Sequence, residues 1–145
     1  MSVNRTSAAY WLCCVVLMAC AQAGEADDGK GMDAYAEKRF SDAAQYLQKA
    51  ADAGHVPGMA TLATMLLKGQ GVARNPNRAA EWFEKAANQG NVDSQAILGL
   101  LYFNGIGVAR DPVKARIWLT KAARQGDKQA AWVLDNLVER GVMRL

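Results

Sequence analysis

Apolar residues recur at three- and four-residue spacing along most of the chain. Ala79, Trp82, Phe83 and Ala86 form one such set, and Ala115, Trp118, Leu119 and Ala122 form the next. That period places each set on one face of a helix. A second series, Ala60, Ala63 and Leu67, is matched by Ala96, Gly99 and Phe103. The two series alternate, so the pattern predicts paired helices. It predicts about seven of them: Met32–Lys38, Asp42–Asp52, Pro57–Lys68, Pro76–Asn88, Asp93–Asn104, Pro112–Arg124 and Lys128–Arg140.

The pattern repeats in register. The stretch from Gly69 to Gly90 returns as Gly105 to Gly126, an offset of 105 − 69 = 36 residues. The glycines, a Val-Ala-Arg step, a proline, a tryptophan, a Lys-Ala-Ala run and a Gln-Gly pair all come back at that offset. A period of this length marks a stacked repeat. The punctuation has physical reasons. Pro76 and Pro112 suit the first helical position, where a missing N–H costs nothing. Asn75 and Asp111 precede them as N-caps. Glycines follow the helix ends, where a left-handed residue is favoured. One pair cannot bury its apolar face alone, so pairs must stack.

Leu98, Gly99, Tyr102, Gly105, Gly107, Asp111, Ala115, Trp118, Lys121 to Ala123 and Gly126 together resemble the Sel-one-like repeat (SLR) family. The resemblance covers Asp33 to Gly141. It implies an all-α, right-handed α-solenoid of antiparallel helix pairs, related to the tetratricopeptide repeats. Ala63, Leu66 and Asn75 depart from the usual Gly, Tyr and Asp at their positions, which are conservative changes. The first unit lacks the glycine loop and reads as a capping hairpin over residues 32–54. Repeats over 55–90 and 91–126 follow, with a partial repeat over 127–145, so the solenoid domain spans 32–145.

The N-terminus has a different character. Arg5 precedes an apolar run from Ala8 to Met18, too short to span a bilayer, and Ala21-Gln22-Ala23 has the form of a cleavage signal. Residues 1–23 therefore read as a secretory signal peptide, and the polar residues 24–31 as a flexible leader. The protein is expected in the periplasm or secreted. Leu17 to Cys20 also resembles a bacterial lipobox, which would anchor the chain to a membrane through an acylated Cys20.

Composition removes several functions. All three cysteines, Cys13, Cys14 and Cys20, lie within residues 1–23, which leaves no thiol for a disulfide or metal thiolate beyond them. Some cysteine-rich, secreted SLR proteins bind penicillins and are described as β-lactamases. They carry a cysteine pair in each repeat, so a small hydrolase of that type is the disfavoured alternative. Removing Arg5 from the formal charge of +3 leaves +2, no footprint for nucleic acid. The glycine loops follow helices and lack a Gly-Lys-Ser/Thr, so they are turns and not phosphate cradles. His55 is the only histidine and reads as an exposed turn residue, a poor metal site alone. No serine or threonine has a histidine placed to activate it. The expectation is a non-catalytic scaffold without a cofactor or metal, binding a protein or peptide.

The resemblance implies binding on the concave face, lined by the first helix of each pair. On the helix from Pro57 to Lys68 the polar stripe is Thr61, Thr64 and Lys68. One repeat later it is Ile97, Leu100 and Asn104, then Val133, Asn136 and Arg140. An apolar middle rimmed by polar groups is a candidate protein-binding surface. The competing reading is that curvature buries Ile97 and Leu100. Trp132, at the register of Ala60 and Ala96, reads as an end cap or as partly exposed.

Overall fold

The structure, a computed structural model, describes residues 24–139, with side-chain environments through residue 137. The predicted signal peptide, Cys20 and Arg140 lie outside the described residues.

Seven helical segments follow one another, with no strand among the described residues. The segment α1 occupies residues 24–36. It is followed by α2 (Phe40–Asp52), α3 (Val56–Lys68), α4 (Pro76–Asn88), α5 (Val92–Asn104), α6 (Pro112–Arg124) and α7 (Lys128–Glu139). Successive helices from α2 to α7 pack on each other, the contact pattern of an α-solenoid.

The ends obey local rules. Pro76 and Pro112 open α4 and α6. The Asn75 side chain accepts from the Arg78 N–H, and Asp111 accepts from the Val113 and Lys114 N–H groups. Asn91 caps α5 in the same way through the Ser94 N–H. Helices α3 and α5 end in left-handed Gly69 and Gly105.

The core runs between the helix layers as a repeated set of contacts. Phe83, Leu47 and Leu119 are at most 1% exposed. They occupy one register position, 36 residues apart (83 − 47 and 119 − 83). Opposite Leu119, α5 carries Gly99. A Cβ there would lie 2.7 Å from Leu119 Cγ and 3.2 Å from the Ala115 carbonyl oxygen. The glycine lets α5 and α6 approach closely. Met59 and Met65 are buried gap fillers. On the opposite layer, Lys85 Nζ sits 4.0 Å from the Trp82 ring centroid, and Lys121 Nζ 4.2 Å from that of Trp118. Each lysine roofs its tryptophan while its charge faces water.

The N-terminal reading needs correction. The segment 24–31 is helical, not a flexible leader, and the expected helix at Met32–Lys38 is only the end of a longer one. The described part of α1 has 13 residues, the length of α3 to α6. Gly31 occupies the register of Gly99: its Cβ would lie 2.7 Å from Leu47 Cγ. The connection to α2 is shorter than a glycine loop, so Gly31 precedes Ala63 by 63 − 31 = 32 residues instead of 36. The first unit is thus a complete helix pair with a trimmed loop. His55 also differs from expectation. It is half-buried, and a Cβ on Gly24 of α1 would collide with its ring. Asp28 lies nearby on α1. Burial raises its carboxyl pKa, and the His55 charge opposes that shift.

Candidate functional site: a groove on the inner face

Helices α1, α3, α5 and α7 enclose a groove of about 520 Å³. Its wall is made by Met32 and Tyr35 from α1, Ala60, Thr61 and Thr64 from α3, and Ala96, Ile97 and Leu100 from α5. Val133 and Ala130 of α7 close the far end, with Phe83 and Leu119 beneath. Small residues at the Ala60 and Ala96 register keep the floor low, and longer side chains one position on form the sides.

Within the groove the exposed apolar surface concentrates at two points. Met32 is 43% exposed and Leu100 38%. Ile97 is half-buried and packs against the core. Both residues line the groove, but Leu100 is exposed in it while Ile97 also packs into the core. Thr61 and Thr64 are half-buried. The Thr61 hydroxyl donates to Met32 Sδ at 3.4 Å, linking α1 to α3 across the groove. The Thr64 hydroxyl turns back to the Ala60 carbonyl at 3.0 Å. The Tyr35 hydroxyl donates to Gln70 Oε1 at 3.3 Å, and its ring meets Phe40 edge to face.

One end of the groove is polar. Asp93 and Asp127 are the charged residues in its lining. Asp127 Oδ1 caps α7, accepting from the Gln129 and Ala130 N–H groups. Beside them Ser94 is fully buried, and its Oγ has no hydrogen-bond partner among the described residues. Next to Ser94 in the chain, Gln95 Oε1 accepts from Gln125 Nε2 at 2.6 Å, and Gln95 Nε2 donates to the Ala87 carbonyl at 3.1 Å. This chain of amides joins α4, α5 and the turn after α6.

Of the nine positions expected on this face, Thr61, Thr64, Ile97, Leu100 and Val133 line the groove. Lys68 and Asn104 do not. They are the last residues of α3 and α5, and stand beyond the groove in solvent. Asn136 is half-buried outside the lining, its amide donating to the Trp132 carbonyl. Trp132 itself is 67% exposed on α7. Sequence reasoning missed Met32, Tyr35, Asp93, Ser94 and Gln129. Met32 was recoverable once α1 is set 32 residues, not 36, before α3, since it then joins the column of Thr64 (32 + 32 = 64). The other four lie outside the columns drawn through Thr61, Thr64 and Lys68. No group of three or more His, Cys, Asp or Glu side chains among the described residues is placed to hold a metal. No described helix is long and apolar enough to cross a membrane.

Known proteins share this fold. The chain is similar to the protective antigen c5321 of uropathogenic Escherichia coli, which displays an SLR fold, with 32% identity and a TM-score of 0.78. The match covers 81% of this chain and 26% of that one. A Sel1 repeat protein from Oxalobacter formigenes matches at 39% identity and TM-score 0.65, over 67% of this chain and 28% of that one. The Helicobacter pylori cysteine rich protein B matches at 28% identity and TM-score 0.60, over 63% and 68%. The chain thus spans about a quarter of the first two. Among curated proteins no relative matches it. The Sel1 repeat matches three times, at residues 17–55, 56–91 and 92–127. The first match takes in α1 and α2, so the unit read as a capping hairpin is a repeat in its own right. With three consecutive repeats over most of its length, the chain belongs to the Sel1 repeat family.

Proposed function

We propose that the protein is an exported scaffold whose inner groove holds a segment of a partner protein. Sel1 repeat proteins are interaction scaffolds as a class, and the family is generally non-catalytic. The observation that carries the site is the groove itself: an apolar wall with Met32 and Leu100 open to solvent, edged by Thr61, Thr64, Asp93 and Gln129. Apolar surface within a polar rim is what a protein-binding face presents. An extended or helical segment would set an aliphatic side chain against Leu100 and Met32.

Leu100→Asp should abolish capture of that partner and leave the melting temperature nearly unchanged, because substitutions at exposed positions stay within about 0.5 kcal/mol. Ile97→Asp is the wrong probe, since a half-buried core contact would be lost with it. Glu81→Lys with Glu84→Lys, on the outer face of α4, should leave capture intact. A pull-down and a thermal melt on each variant check this. A stable Leu100→Asp protein that still captures the partner would remove the groove from the account.

Export rests on the sequence of residues 1–23. Cleavage after Ala23 would start the mature chain at Gly24, the first described residue of α1. N-terminal sequencing of the native protein should read Gly24 first. An acylated Cys20 as first residue would place the scaffold on a membrane instead. Either location suits a role in envelope assembly or signalling.

A further inference from the structure

The outer layer has a feature that the groove does not use. Helices α2, α4 and α6 each present an outward stripe at 36-residue spacing (77 − 41 and 113 − 77). In α2 it reads Ser41, Gln45, Gln48 and Asp52. In α4 it reads Asn77, Glu81, Glu84 and Asn88. In α6 it becomes Val113, Ile117, Thr120 and Arg124. Val113 is 61% exposed and Ile117 48%. So a position that is polar in the first two repeats, and acidic in the second, is aliphatic and basic in the third. The other repeats act as an internal control: the scaffold does not require apolar residues there.

The charges within α6 share one sign. Between Pro112 and Arg124 there is no acid, while Lys114, Arg116, Lys121 and Arg124 are basic. At roughly 100° per residue, Lys114 and Lys121 flank the stripe on one side and Arg116 on the other. Lys114 Nζ stands 5.2 Å from the Tyr102 ring centroid, and Lys121 Nζ 4.2 Å from that of Trp118. Both cations are held beside the stripe.

We infer that this stripe docks an acidic amphipathic helix of a partner protein. Two aliphatic side chains one turn apart are the anchors by which packed helices recognise each other. The flanking cations favour acids on the incoming helix and raise its association rate. An anionic lipid surface fits less well. The α4 stripe belongs to the same outer layer, and the loop into α6 touches the first turn of α4, where Gly107 meets the Pro76 backbone. A planar anionic surface would also face Glu81 and Glu84 on α4. A rod one helix wide would not.

The test grafts the α4 stripe onto α6, as V113N/I117E/T120E/R124N. The protein already carries that stripe on a helix of the same length, and a thermal melt verifies folding. I117E alone serves if the graft melts lower. A phage-displayed library of amphipathic helical peptides is selected on the unmodified chain and counter-selected on the graft. The expected clones are net acidic, carry aliphatic pairs at i,i+4, bind the unmodified chain at least about tenfold more tightly, and weaken with added salt. Clones that are net basic, or an absence of clones that discriminate, would overturn the proposal. So would phosphatidylglycerol vesicles that sediment the unmodified chain but not the graft, since these assign the stripe to lipid.

Discussion

Gly107→Val should cost the protein most of its stability. Gly107 has φ +72°, where a β-branched residue is strained by about 1–3 kcal/mol. Space is the larger obstacle. A Cβ would collide with the Pro76 carbonyl and lie 3.0 Å from the Asn77 nitrogen. These are backbone atoms of the preceding repeat, and they cannot swing aside as a side chain would. Gly71 meets the Phe40 backbone in the same way one repeat earlier. The two glycines are joints between successive helix pairs, which also pack through α2 on α3 and α4 on α5. Gly126 gives the comparison, since φ is +98° and nothing lies within 4 Å of its Cβ. Gly126→Ala should therefore show strain alone. In urea melts the midpoint of Gly107→Val should fall far below that of Gly126→Ala. Equal losses would mean that the joint carries no packing.

Trp118→Ala should cost about 3–5 kcal/mol, the range for removing a buried aromatic side chain. Trp118 is 8% exposed, belongs to the main core cluster, and is roofed by Lys121. The neighbouring residue points the other way: Ile117 is 48% exposed. Ile117→Ala should change stability by no more than about 0.5 kcal/mol. Denaturant melts of the two variants separate core from surface across one peptide bond. Similar losses in both would show that α6 is rotated relative to this description.

The repeat architecture was legible because each landmark has a local cause. Pro76, Gly69 and Trp82 each return 36 residues later, the cap Asn75 returns as Asp111, and each has a job at a helix end or in the core. The first helix was not legible by the same means. Its glycines and acids, from Glu25 to Gly31, look like a loose leader when read as composition. Gly31 is a close-approach residue against Leu47, but the trimmed loop shifts it four residues out of the 36-residue frame. The inner face was partly legible for a related reason. Columns drawn by adding 36 found Thr61, Thr64, Ile97, Leu100 and Val133. They could not say where along each helix the hollow ends, which depends on helix packing and leaves Lys68 and Asn104 outside. Nor could periodicity separate Leu100 from Ile97, three residues apart on one face. Ile97 packs against the core cluster, whereas Leu100 stays 38% exposed.

The most direct measurement is site-specific photocrosslinking in cells that produce the protein. A photoreactive phenylalanine analogue is placed at Leu100 in the groove, and in a second variant at Glu84 on the outer face of α4. The account predicts a discrete crosslinked partner from position 100 and none from position 84. A partner captured from position 84 with none from position 100 would contradict it.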